Sequence, residues 1–217
     1  MADVDALIET AEQQWLEGWS TGPQVLKVTG PGIGDPAPDF ELADQLGGVR
    51  SLSSFWSDGP ALVLFWRHYG CGCGFDRAGR LREELPEYRE LGANVVIVGQ
   101  GEPERALLYG DTHDLDVPVL CDPDEVAYRA YGLPDFTVAQ VFFDTPEEYW
   151  SCPPGIGHQL MKERREGGRP MVDNPWLSPG EFVIDTDGII RLAYRYQYCE
   201  DFPDPRVLTT ALHLAKT

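Results

Sequence analysis

Hydrophobic residues recur along this chain with two different periods, and the switches between them delimit its elements. Over residues 5–19, Leu7, Ile8, Ala11, Trp15 and Leu16 fall on one side of a helix, which predicts an amphipathic helix lying on the domain or on a partner. Glycine and proline at close intervals over 22–38 predict an extended connection. Residues 39–42 and 49–52, around the turn-like DQLGG, read as a short hairpin, with one helical turn starting at Ser53 or Ser54. Residues 61–66, ALVLFW, form an unbroken apolar run of strand length, after which Leu81, Leu85 and Tyr88 return at helical spacing. A second apolar strand covers 94–99, Glu102-Pro103-Glu104 opens a helix, a short strand covers 117–120, and a helix spans 122–131 until Gly132 and Pro134 stop it. The pattern dissolves over 136–179 into aromatics, prolines and glycines around one helix at 159–166. Phe142, Phe143, Tyr149, Trp150 and Trp176 are expected to form the core of this stretch. Residues 181–184 and 189–196, joined by Asp185-Thr186-Asp187-Gly188, form the clearest hairpin. A last helix starts at Asp204-Pro205 and turns Val207, Leu208 and Leu212 toward the sheet.

Strands alternating with helices make the class α/β, with a parallel or mixed sheet covered on both faces. At 217 residues the chain suits one sizeable domain with additions. No apolar run approaches the ~20 residues of a membrane span, and the acidic start MADVDALIETAEQQW lacks the basic and apolar regions of a secretory leader, so a soluble cytoplasmic protein is expected. The net charge of −19 opposes nucleic acid and anionic membrane as partners, because both would repel it. Five cysteines without a dense framework exclude a secreted disulfide scaffold; in a reducing compartment the close pair Cys71 and Cys73 points to catalysis or metal.

That pair stands where the central strand, leaving through Arg67 to Gly70, hands over to a helix. Unpaired N–H groups at a helix start favour negative charge, so a thiol there loses its proton more easily and becomes a nucleophile. Cysteines two apart on a helix point to different sides, so a Cys71–Cys73 disulfide requires non-helical backbone around Gly72. Three uses follow: attack on an oxidised small molecule, disulfide exchange with proteins, and binding of a soft metal with His68 or Cys121.

The strings GDPAPDFEL, RHYGCGCG, FVIDTDGIIRLAYRYQ and FPDP occur in the order found in the thioredoxin-fold alkyl hydroperoxide reductase and thiol-specific antioxidant (AhpC/TSA) superfamily. The chain resembles its peroxiredoxin-like group from about Gly34 to Leu214. The resemblance implies a thioredoxin-like mixed sheet flanked by helices over residues 31–217, preceded by an extra N-terminal helix and linker over 1–30 and interrupted by an insertion at 136–180. It maps the group's arginine onto Arg67 and its nucleophile onto Cys71. The usual second cysteine falls on Gly74, with Cys73 one residue early; the peroxiredoxin threonine and proline are replaced by His68 and Leu64, and the arginine before the last hairpin by Pro179-Gly180.

On this resemblance the chain is a thiol-dependent oxidoreductase that reduces a hydroperoxide or a related oxidised small molecule without an organic cofactor or metal. Cys71, Cys73, Arg67 and His68 are its candidate catalytic residues, and Trp66, Tyr69, Gly70 and Pro179 its candidate substrate contacts. The electron donor is a thioredoxin-like protein or a low-molecular-weight thiol, and the N-terminal helix and insertion serve a specialised substrate or a homodimer contact. Pro179 lies near the place where the thioredoxin fold presents a cis-proline. The other readings are a CxC disulfide-exchange protein and a redox-silent binding or regulatory module.

Overall fold

Every residue of β3 (Ala61–Phe65) is buried, and its successive side chains feed two separate cores. Leu62 and Leu64 join one, Ala61, Val63 and Phe65 the other, which is why the run is continuously apolar instead of alternating. In the computed structural model, which describes residues 3–216, β3 lies between parallel β4 (Asn94–Gly99) and antiparallel β6 (Gly180–Ile184). β4 pairs in parallel with β5 (Val119–Cys121), and the sheet is completed by β1 (Glu41–Asp44), β2 (Val49–Ser51) and β7 (Ile190–Arg195), in the order β2-β1-β5-β4-β3-β6-β7. The outer pairings are all antiparallel, so the expected mixed sheet is present.

One face of the sheet is covered by α2 (Gly72–Glu90), α3 (Pro103–His113) and α7 (Pro205–Leu214), through Leu81, Leu85, Tyr88, Ala106, Leu208 and Leu212. The opposite face is covered by the 3-10 turn Leu52–Trp56 and α4 (Val126–Ala130). α4 starts later than the predicted 122, because the Asp122 carboxylate accepts the backbone N–H groups of Val126, Ala127 and Tyr128 at 3.0, 2.8 and 3.2 Å and so acts as a cap. Val207, expected to face the sheet, is 43% exposed; Leu208 and Leu212 are buried, with Ala211 beside them in the same core.

The stretch 136–180, expected as an insertion, contains α5 (Val138–Phe142), the 3-10 turn Glu147–Tyr149 and α6 (Pro154–Glu166), whose proline at its start sets the helix off earlier than the predicted 159. It shares a third core with α1 (Val4–Thr21): Trp15, Trp19 and Trp176 are buried against Phe142, Tyr149, Leu160 and Met171. Trp19 donates from Nε1 to Pro153 O at 3.2 Å and Trp176 to Gly18 O at 2.7 Å, fixing both indoles. The N-terminal helix therefore packs on the insertion. Phe143 and Trp150 lie outside this core, exposed at its edge.

Candidate active site

Cys71 is the last residue before α2, with extended backbone (φ −70°, ψ 131°), and Gly72 is the first residue of the helix. The non-helical residue that separates the two cysteines is thus Cys71 itself; Gly72 is helical, and a Cβ on it would meet open space. Cys71 and Cys73 are joined by a disulfide with Cα atoms 5.4 Å apart, inside the ordinary range. Cys71 is half-buried and Cys73 is only 4% exposed. An outside thiol therefore reaches Cys71 first. Gly74, where the second cysteine of the AhpC/TSA pattern would stand, faces the Tyr109 hydroxyl, 2.9 Å from where its Cβ would be. The packing of Tyr109 against α2 leaves that position no room for a side chain.

Arg67, a candidate catalytic residue, is 4% exposed and held by backbone carbonyls: Nη1 donates to Leu177 O at 3.1 Å and Nη2 to Pro175 O at 2.9 Å. Its guanidinium lies 5.5 Å from the Phe136 ring centre, Nε has no hydrogen-bond partner among the described residues, and no carboxylate among them pairs with it. A buried cation compensated only by carbonyl dipoles favours a neighbouring anion such as a thiolate. His68 is 2% exposed; burial, and then the Arg67 charge, push its pKa well below the ordinary histidine value, so its imidazole is neutral near pH 7. His68 therefore adds no positive charge beside the cysteines at that pH.

Two cavities border the disulfide. The larger, ≈ 440 Å³, is lined by Arg67, His68, Gly70, Cys71 and Cys73 on one side and by Trp15, Trp19, Phe142, Leu160 and Trp176 on the other, with Arg164 and Glu200 also on its wall. Its apolar wall is thus the third core, built from the N-terminal helix and the insertion. The smaller, ≈ 20 Å³, lies behind Cys73 and is lined by Trp66, Arg67, Arg77, Pro179, Glu181, Tyr196 and Cys199.

The candidate substrate contacts divide accordingly. Gly70 borders the larger cavity, where a side chain on it would strike the Pro170 carbonyl. Trp66 and Pro179 border only the small rear cavity, Trp66 being buried with Nε1 donating to the Tyr109 hydroxyl at 3.0 Å. Tyr69 points the other way, stacked on Tyr109 at 4.5 Å between ring centres, and packs against Gly99 and Gly101. Pro179, near the place of the thioredoxin-fold cis-proline, has a trans peptide bond. Of the other cysteines, Cys121 and Cys152 are buried in separate cores; burial raises the Cys121 thiol to about 12 and shifts Cys152 upward. Cys121 lines neither cavity beside the disulfide, and among the described residues no group of three His, Cys, Asp or Glu side chains is arranged for a metal ion.

Periodicity gave no notice of the buried network behind Cys73. Arg77 on α2 donates from Nε to Glu181 Oε1 at 2.7 Å and from Nη1 to Glu84 Oε2 at 2.8 Å, while the Tyr196 hydroxyl donates to Glu181. The available sign was Glu181 itself, a carboxylate inside the apolar strand GEFVI that can be buried only with a cationic partner.

Comparison with known proteins agrees with this architecture. The chloroplastic thioredoxin-like protein AAED1 of Arabidopsis thaliana is 29% identical over 115 residues, 53% of this chain and 45% of that protein. A putative peroxiredoxin of Mycobacterium tuberculosis is 30% identical over 99 residues, 46% of this chain and 62% of the relative. The chain thus spans less than two thirds of the length of either relative. Among solved structures, peroxidoxin BcpB from Mycobacterium tuberculosis superposes with a TM-score of 0.58 at 21% identity, covering 85% of this chain and 96% of that one. A peroxiredoxin-like protein from Aquifex aeolicus superposes at 0.60 and 13% identity, covering 88% and 92%, so the fold is of the thioredoxin-like, peroxiredoxin type. Residues 33–193 match the profile of the AhpC/TSA family, and the chain belongs to that family.

Proposed function

We propose that the protein is a thiol-dependent peroxide reductase with Cys71 as its nucleophile. The observation that carries the reading is the Cys71–Cys73 disulfide at the start of α2, beside a buried arginine that no carboxylate among the described residues pairs with. In the reduced protein the Cys71 thiolate attacks the terminal oxygen of a hydroperoxide. The O–O bond breaks, the alkoxide takes a proton and leaves as an alcohol, and Cys71 becomes a sulfenic acid. Cys73 then attacks that sulfur, expels the hydroxyl as water and forms the disulfide. His68, neutral at the same cavity wall, adds a polar uncharged group beside the reacting sulfur. The aromatic wall of the ≈ 440 Å³ cavity suits an organic hydroperoxide with an apolar body.

The disulfide is returned to the dithiol by a thioredoxin-like protein or a low-molecular-weight thiol, in keeping with a cytoplasmic setting. No helix among the described residues is long and apolar enough to cross a membrane. Peroxide consumption with dithiothreitol as electron donor tests the reading. The wild type is expected to turn over and Cys71→Ser to stop; equal consumption by the two, or none by the wild type, rejects it. Loss of peroxide activity alongside reduction of insulin disulfides would favour the disulfide-exchange reading of the same bond.

A further inference from the structure

Cys199 lies on the wall of both cavities that flank Cys73, the ≈ 20 Å³ space behind it and the ≈ 440 Å³ space in front. The space behind Cys73 is small, about 20 Å³, enough for about one water molecule, and both cysteines line it. The turn carrying Cys199 is braced after β7: Asp201 accepts the Tyr194 hydroxyl at 2.9 Å and the Gln197 N–H at 2.8 Å, and Phe202 packs on Tyr196. Cys199 is half-buried, whereas Cys121 and Cys152 are enclosed in other cores.

From this placement we propose that Cys199 is a third redox cysteine that takes the disulfide over from Cys71. The step rests on the peroxidase reading for its oxidant, and it accounts for a bond in which one sulfur is nearly inaccessible from outside. After Cys71 and Cys73 have formed their disulfide, the Cys199 thiolate attacks the Cys73 sulfur. The Cys73–Cys199 bond forms, the Cys71–Cys73 bond breaks, and the electron pair leaves on Cys71 as thiolate. No net oxidation or reduction accompanies the transfer. The direction follows from the leaving group: a thiolate at the start of α2, on the same cavity wall as the Arg67 cation, departs more readily than the enclosed Cys73 sulfur. Cys71 is then free to meet a second peroxide while the first two oxidising equivalents wait on Cys73 and Cys199. An external dithiol returns the pair to thiols by attack at half-buried Cys199.

Two measurements test it. In Cys71→Ser, whose serine is a favourable residue at a helix start, oxidation of the reduced protein with diamide, followed by alkylation and peptide mapping, is expected to give a Cys73–Cys199 disulfide. Because diamide oxidises thiols directly, this outcome does not depend on peroxidase activity; Cys73 and Cys199 both recovered as free thiols overturns the relay. In the absence of reductant, the reduced wild type is expected to consume twice as much peroxide per chain as Cys199→Ser, since only the former regains Cys71 as a thiolate. Equal consumption by the two active proteins also overturns it. If neither consumes peroxide while the diamide bond still forms, the peroxidase reading falls and the sulfur pairing stands.

Discussion

Arg77 grips Glu181 with two hydrogen bonds, Nε to Oε1 at 2.7 Å and Nη2 to Oε2 at 3.1 Å, tying the first turns of α2 to the first residues of β6. Both residues line the space behind Cys73, and Arg77 stands one helical turn after it. The AhpC/TSA pattern carries an arginine just before this strand; here Pro179-Gly180 occupies that place and the guanidinium comes from the helix opposite. Burial opposes the Arg77 charge, but Glu181 and Glu84 outweigh it and hold its pKa well above the usual arginine value. This cation is already neutralised by carboxylates. Of the two arginines that line the space behind Cys73, Arg67 is the one not paired with a carboxylate among the described residues.

Removing one side of the pair strands the other. Arg77→Met is expected to lower the unfolding free energy by about 3–5 kcal/mol, because Glu181, 1% exposed, would be left as a buried charge. The double variant Arg77→Met with Glu181→Leu should recover more than half of that loss. Urea denaturation of the single and double variants checks both figures.

Arg67 has a different expected signature. Arg67→Met should move the pH at which Cys71 of the reduced protein becomes alkylated by iodoacetamide upward, with the rate at pH 7 falling about tenfold for each unit of that shift. Raising the pH restores the rate, and an unchanged circular dichroism spectrum of the variant separates this outcome from loss of structure. The same substitution also leaves Leu177 O and Pro175 O without their donor, so some loss of thermal stability should accompany it.

The central strands were legible in the sequence because they are short apolar runs that must be buried on both faces, and β4 falls where periodicity places it. The start of α2 was legible for the same reason, together with Cys71 and Arg67 near one another. The cavity wall was not. Trp15 and Trp176 are 161 positions apart, and only the folded chain brings α1 and the insertion into one aromatic core. Tyr69 illustrates a second limit: its place in RHYGCGC suggested contact with substrate, yet which way a side chain leaves an irregular exit depends on the glycines it meets on other segments.

Those glycines give a packing prediction. A Cβ at Gly99 would overlap the Tyr69 hydroxyl, and Gly99 is the last residue of buried β4, where the backbone has little freedom to retreat. Gly99→Ala is expected to cost about 1–3 kcal/mol by overpacking. The variant Gly99→Ala with Tyr69→Phe, which removes the obstructing oxygen, should regain part of it. Because Tyr69 lies two residues before Cys71, the single variant should also slow Cys71 alkylation, whereas Gly72→Ala, facing open space, should do neither. Thermal melts and alkylation rates separate these outcomes.

His68 sets the last prediction. Its folded pKa is depressed well below 6.5 by burial and then by Arg67, so below about pH 6.5 the unfolded chain binds a proton that the folded protein refuses. Stability is therefore complete above that pH and declines as pH falls below it, with a slope of up to about 1.4 kcal/mol per pH unit. Glu12, Asp122 and Asp173, raised first by burial, act in the opposite sense, since the folded protein keeps their protons to higher pH, and half-buried His113, lowered by burial, acts in the same sense as His68. All four contribute equally to wild type and to His68→Gln, so the difference between the two isolates His68. Urea midpoints measured from pH 5 to 8 should run parallel above pH 7 and converge or cross below 6.5, as the wild type loses stability that the variant keeps. Parallel curves throughout would mean that the imidazole is charged, or exposed, in the folded protein.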